Sequence, residues 1–356
     1  MRPRVLLGEA WRDIVGGVAG VVLFGLLLAA TLLGAVGMDL ATVGALVDRA
    51  QQFQAAGASV MTIQSPGHID GAACESLNQV AGVRAAGALR PAVGDLTLDK
   101  LPQAGIAGFE VTASLPSVLR SEGAEPGVHM SSAVGESLGV GVGRSVSFRG
   151  LVPGLVAGLF PWEETDGRRG GLGYSVLIPV DADAPFDECW ADVWPVSPNT
   201  RELLLLTAMP AAGQEPPTLG QLNTTLGTGF DGAASFSQRP TRWLPLVVAG
   251  VAFGLGFVAT WWRRLEIASD LHAGVTRADV SLKHLVETAA CGLVGAALPV
   301  AAVVVMAAGL PPSDRVVAAG VAGSDVAAGI GAMLAGTLVV LALIRERHFA
   351  QYFRTR

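Results

Sequence analysis

Five histidines, three cysteines and a few tight groups of carboxylates are the residues from which this 356-residue chain could build chemistry. Their spacing argues against most of it. His68, His129, His272, His284 and His348 are scattered, and neither they nor the cysteines show the short repeats of a zinc site. Asp181, Asp183, Asp187 and Glu188 crowd together, yet they lack the glycine and terminal glutamate of a calcium-binding EF-hand loop and read as solvated. Gly139, Gly141 and Gly143 follow a helical pattern and precede a strand, the reverse of the order that aims helix N-terminal amides at a phosphate, so they read as a turn. Walker A, G-x-S-x-G and H-E-x-x-H sequences are absent. No cofactor or metal is expected, and the chain is not expected to be an enzyme.

The elements that carry these residues follow from composition. Hydrophobic residues make up 51% of the chain and charged residues 15%, with a mean hydropathy of +0.50, which points to a membrane protein. A helix needs roughly 20 apolar residues to cross the hydrocarbon, and four stretches meet this: 14–38, 244–262, 285–310 and 326–344. The first is read as a retained span rather than a cleaved signal. Lys and Arg close to span ends stay in the cytoplasm. Arg2, Arg4 and Arg12 precede the first span, Arg263, Arg264, Arg277 and Lys283 fill the loop 263–284, and Arg345, Arg347, Arg354 and Arg356 follow the last span. The expected topology therefore has cytoplasmic segments at 1–13, 263–284 and 345–356, and a large extracytoplasmic domain at 39–240. That domain holds 11 basic against 21 acidic residues, a net charge of −10, which disfavours nucleic acid and an anionic inner leaflet as partners, and no nucleic acid partner is expected.

Within 39–240, helical and alternating patterns interleave, giving an expected α+β domain with helices on one face of a sheet. The stretch following the first span continues it as a helix. Strands are expected at "ASVMTIQ", "AVGDLTL", "GIAGFEV", "RSVSFRG", "GLVAGLF", "YSVLIPV" and "ELLLLTAM", and a short helix at "DGAACESLNQVAGV" that runs on toward "RAAGALRP". "FPWEETDGRRGG" reads as a hairpin tip, and Trp190 and Trp194 as packing residues. Cys74 and Cys189 both fall in this domain, where an oxidising compartment permits a disulfide, and sequence alone leaves that bridge open. Cys291 lies in the third span.

The spans hold almost nothing ionisable. Glu287 is the exception, placed to reach the interface or to cap against Lys283, with no deeper partners for a proton relay. Small residues at close spacing, Gly16 with Gly20, Gly250 with Gly254, Gly292 with Ala296 and Ala332 with Gly336, allow close helix approach within one chain or between two. The segment "RRLEIASDLHAGVTRADVSLKHLVETAACGLVGA" joins the second and third spans. Leu265, Ile267, Ala268, Leu271 and Val275 give it an apolar face that has no evident burial site within the chain, so it is expected to lie on lipid headgroups or dock on a cytoplasmic partner.

That segment resembles the signature of the FtsX-like permease domain, also found in MacB-like ABC transporters. Arg263, Arg264, Glu266, Ile267, Leu271, Ala273, Gly274, Glu287, Gly292 and Gly295 fall on the pattern, while His272, Val275 and "IASD" depart from it. "LLGEAWRDIVGG" is similar to the family's opening, "MSSAVGESLGVGVGRSVSF" to its ectodomain helix-turn-strand, and one span, a large domain and three further spans to its architecture. The resemblance implies a mechanotransmission permease subunit, dimeric and resident in the cell membrane. Its partner would be a separate cytoplasmic ABC ATPase docked on a coupling helix that includes Arg263, Arg264, Glu266, Ile267, Leu271, Ala273 and Gly274. A membrane-anchored sensor or scaffold, whose outer domain binds an extracellular ligand or cell-wall enzyme without an ATPase, fits the low charge of the spans equally well.

Overall fold

The computed structural model describes the chain except for residues 1–2, 18, 99–100, 122–126, 150–152, 164, 166, 198, 211–212, 214, 309–311 and 346–356. The end of the expected third span at 309–310, Glu164 and Asp166 of the "FPWEETDGRRGG" loop, and His348 and the rest of the tail after Arg345 lie outside the described residues. The chain forms two compact units, one of Met1–Val47 with Ala233–Arg356 and one of Asp48–Gly232.

The chain opens with α1 (Pro3–Val15) and α2 (Val21–Ala55). The expected first span, 14–38, is therefore not one helix. Gly17 and Gly20 take φ of 76° and 62°, a conformation that favours glycine, and they end α1 before α2 starts. α2 buries Val21, Phe24, Leu28, Leu32, Ala35 and Val36 at helical spacing and exposes Val22, Leu23, Leu26, Leu27 and Leu33 on the other side. An exposed face this apolar suits lipid rather than water.

The second unit is an α+β domain around a ten-stranded mixed sheet. In chain order it comprises β1 (Val60–Asp70), α3 (Gly71–Ser76), β2 (Val83–Pro91), β3 (Leu96–Leu98), β4 (Leu101–Val111), α4 (Leu115–Val118), β5 (Val128–Ser131), α5 (Ser132–Leu138), β6 (Ser145–Val146), β7 (Gly154–Phe160), β8 (Ser175–Pro179), β9 (Pro185–Val193), α6 (Thr200–Leu205) and β10 (Thr218–Gln221). The strand order is β10-β1-β9-β2-β4-β8-β5-β7-β6, with β3 on β4. Pairs β4/β8 and β5/β7 are parallel and the others antiparallel.

β9 lies between β1 and β2 and is covered on both faces. Trp190 joins the core of Val60, Leu89, Val111, Leu115 and Phe160, stacked on Trp162 at 6.2 Å. Phe186, Cys189, Ala191 and Val193 join a separate core with Ile63, Ile69 and Leu204. Cys189 is bonded there to Cys74 of α3. The carboxylates of β9 are matched: Glu188 takes two hydrogen bonds from Arg169 and one from Trp190, and Asp192 is paired with Arg84 and Ser59. Of the acidic cluster, Asp187 accepts from the Gly67 amide.

Two readings of local pattern are corrected. "ELLLLTAM" forms α6, not a strand: one turn buries Leu204 and leaves Leu205 and Leu206 exposed, a division no fully covered strand allows. "RAAGALRP" is a strand, β2, because Ala85, Ala86, Ala88 and Leu89 fill both faces of the sheet beside β9. The stretch "MSSAVGESLGVGVGRSVSF" follows its expected course, with Ser131 capping α5 and Gly139 ending it at a φ of 64°.

After α7 (Gly232–Ser237) and a single 3₁₀ turn (Pro240–Trp243) come α8 (Leu244–Trp262), α9 (Arg264–His272), α10 (Arg277–Ala308) and α11 (Pro312–Leu343). With α2, the helices α8, α10 and α11 are long and apolar enough to cross a membrane. The chain is a membrane protein. Small residues decide where these helices touch, at two of the expected pairs and not at the other two: Gly292 of α10 lies against Ile330 of α11, and Gly336 of α11 lies against α8. Gly16 and Gly20 belong to the α1–α2 turn, and a Cβ on Gly250 or Gly254 would meet nothing within 4 Å. Instead Gly256 of α8 faces the Met333 backbone of α11, and Gly336 of α11 faces the Phe253 and Phe257 backbone of α8, both too close for any side chain. Gly336→Leu is expected to separate α8 from α11 and to cost about 3 kcal/mol. Gly250→Leu is expected to leave the thermal midpoint in detergent unchanged. Equal midpoints for the two variants would refute this packing.

Candidate functional site

Arg263 stands at the junction of α8 and α9, as C-cap of one and N-cap of the other. Its side chain is only 11% exposed, and a buried guanidinium must be matched by carboxylates. It donates to both oxygens of Glu266 at 2.8 and 2.6 Å, to Asp13 of α1 at 3.2 Å, and to Glu287 of α10. Lys283 of α10 reaches Asp13 at 2.8 Å and Glu266 at 3.2 Å, and His284 Nδ1 lies 3.1 Å from Glu287. Three carboxylates and two fixed cations thus join α1, the α8–α9 junction and α10. Burial alone would raise the Asp13 carboxyl, but the hydrogen bond and charge of Lys283, with Arg263, hold it below the usual value. Burial opposes ionisation of Glu266 as well, and the bidentate Arg263 contact outweighs it. Asp270 goes the other way, pushed up mainly by burial.

The apolar face of α9 does have a burial site within the chain, contrary to expectation. Ile267 and Ala268 are fully covered by Val280 of α10 and Val340, Leu341 and Ile344 at the end of α11, with Leu271 and Val275 packed at the edge. Periodicity reports that a face is apolar but not what covers it. Arg264 lies over the Trp261 ring at 5.6 Å. Of the seven residues expected at a partner contact, Arg263, Glu266 and Ile267 thus hold the segment to its own bundle, with Leu271 and Arg264 partly engaged there. Ala273 and Gly274 are exposed, together with Ser269, His272, Thr276, Arg277 and Ala278. Gly274 has a φ of 89° at the turn into α10, which Thr276 caps by accepting from the Asp279 amide.

Glu287 is also corrected. It pairs with Arg263 and His284, while Lys283 serves Asp13 and Glu266. Asp13 and His284 are site residues that sequence reasoning passed over, and Lys283 was expected only as a cap for Glu287. The i, i+3 and i, i+4 spacing of His284 and Lys283 to Glu287 was a usable signal, whereas Asp13 is distant in sequence and carried none. Beside the cluster a cleft of about 390 Å³ is lined by Glu9, Arg12, Asp13, Asp270, Asp279 and Lys283, with Val275 and Val280 as its apolar part.

No protein-family model matches the sequence, and no curated protein matches it. Among solved structures, the periplasmic region of MacB from Actinobacillus actinomycetemcomitans overlaps 48% of this chain and 91% of its own, at 10% identity and a TM-score of 0.34. A domain of a putative permease protein from Porphyromonas gingivalis overlaps 42% of this chain and 82% of its own, at 12% identity and a TM-score of 0.32. The extracellular domain of the noncanonic ABC-type transporter YknZ from Gram-positive bacteria overlaps 40% of this chain and 88% of its own, at 12% identity and a TM-score of 0.28.

Proposed function

We propose that the chain is the permease subunit of an ABC system of the FtsX-like and MacB-like kind, and that a separate ATPase seats on the exposed crest running from Ser269 to Ala278. The observation that carries this reading is how α9 is mounted. Its inner face is packed on α10 and α11, and its first turn is tied by Arg263 and Glu266 to α1 and α10. A load applied to the crest is passed to the helices rather than absorbed by a flexible loop. The chain itself hydrolyses nothing in this reading, and two copies pair so that closure of two ATPases draws the helices together.

The termini and the crest lie in the cytoplasm in this scheme, by the distribution of Lys and Arg about the spans. Unit Asp48–Gly232 lies outside, in keeping with a fully buried Cys74–Cys189 bond, which persists in an oxidising compartment.

The test is co-purification with the candidate ATPase, using Ala273→Arg and Arg277→Glu. Both positions are exposed, so the variants are expected to fold while binding falls by ~2 kcal/mol, roughly thirtyfold. A retained complex with unchanged stimulation of ATP hydrolysis would sink the proposal. It would leave the sensor or scaffold reading.

A further inference from the structure

His284 and Glu287 of α10 are each 3% exposed, and each keeps a polar atom that no described residue answers. The two side chains meet with His284 Nδ1 3.1 Å from Glu287 Oε2, and Arg263 donates to that same oxygen. His284 Nε2 and Glu287 Oε1 are left over. Both are fully buried and have no hydrogen-bond partner among the described residues. The nearby Lys283 is committed to Asp13 and Glu266. A buried polar atom without a partner is costly, and two of them on one ion pair call for something that serves both.

The fold leaves room for it. A cavity of about 20 Å³ is lined by His284, Glu287, Thr288 and Cys291 of α10, Thr260 of α8 and Met333 of α11. That space admits a water molecule and is too small for an organic ligand. Its wall is also rich in hydroxyls. Thr260 Oγ1 donates to Thr337 Oγ1 of α11 at 3.1 Å, and Thr288 Oγ1 lies 3.1 Å from Thr337 Oγ1 and donates to the His284 carbonyl at 2.8 Å. Buried cavities with apolar walls stay dry, whereas those with several polar groups hold water.

Charge selects among the small occupants. A metal ion would need more ligands, and among the described residues no three His, Cys, Asp or Glu side chains are placed to share one. An alkali cation would face the Arg263 guanidinium that already holds Glu287, and an anion would face the Glu287 carboxylate. Water carries no charge and has two protons to donate. In a neutral His284 ring that donates from Nδ1 to Glu287 Oε2, Nε2 is an acceptor, and so is Oε1.

We propose that an internal water occupies this cavity and bridges His284 Nε2 to Glu287 Oε1. It completes the hydrogen bonding of the Glu287 carboxylate, which otherwise rests on one oxygen, and lets it keep its charge beside Arg263 inside the bundle. It also extends the charged cluster inward, to the hydroxyls at which α8, α10 and α11 meet. The inference needs no ATPase and does not depend on the permease reading.

X-ray radiolysis of the full chain in lipid nanodiscs tests it, because hydroxyl radicals arise from bound as well as bulk water and oxidise the nearest sulfur. Met333 and Cys291 line the cavity, while Met130 is equally shielded in a core of the sheet unit. Peptide mass spectrometry after millisecond exposure is expected to find Met333 and Cys291 oxidised and Met130 intact. Cys291→Val, which adds a methyl-sized group at the cavity wall, is expected to displace the water and abolish oxidation of Met333. A wild-type Met333 as unreactive as Met130 overturns the proposal without any variant. Oxidation of Met333 that persists in Cys291→Val overturns it too, as does oxidation that disappears when sodium or potassium is raised, which would assign the cavity to a cation.

Discussion

Arg263→Met is expected to destabilise the helical unit by about 3–5 kcal/mol, measured as a lower thermal midpoint of the full chain in detergent. The effect is large because Arg263 answers three carboxylates at once, and Glu287, at 3% exposure, has no water to turn to. Removing the arginine leaves a buried anion with His284 as its remaining ion-pair partner among the described residues. Glu287→Gln removes that anion, so the double variant is expected to recover part of the loss, and the two changes are expected to be strongly non-additive. Glu266 is three times as exposed as Arg263, at 33% against 11%, and Glu266→Gln should cost less. Additive effects, or an Arg263→Met protein as stable as the wild type, would show that the cluster does not hold α1, α9 and α10 together.

Replacing Cys74 and Cys189 with alanine is expected to lower the stability of the Asp48–Gly232 unit by about 4 kcal/mol, near 10 °C in the midpoint of a domain this size. The bond closes a loop of 115 residues, so the unfolded chain loses much of its freedom when it is present. Both sulfurs are fully buried between α3 and β9, and β9 in turn pairs with β1 and β2. Loss of the bond should therefore loosen the middle of the sheet rather than an edge. Calorimetry of the full chain with and without dithiothreitol checks this. An unchanged transition under reducing conditions would contradict it.

Much of the architecture was readable because it rests on composition and period. Apolar stretches of spanning length appear as α2, α8, α10 and α11, and "MSSAVGESLGVGVGRSVSF" forms the helix, turn and strand that its pattern describes. The misreadings share a cause. Four leucines in a row at 203–206 look like a buried strand, and the acidic group of Asp181, Asp183, Asp187 and Glu188 reads as solvated. Yet the leucines form half-exposed α6, and Glu188 lies buried in β9, where it meets Arg169 while Asp192 meets Arg84.

The same limit governs the site. By itself the sequence determined that the chain enters a membrane, that α9 has one apolar and one polar face, and which residues match a family pattern, because hydrophobic length and helical period are local properties. Only the tertiary structure decided that Arg263 and Glu266 bind the bundle, that Ile267 is covered from within, and that Asp39 pairs with Arg239. Those facts depend on residues as much as 250 positions apart, as Asp13 and Arg263 are, brought together by the packing of the helices. No local pattern records which buried charge will find which partner, because burial makes the pairing obligatory and only the fold selects the pair.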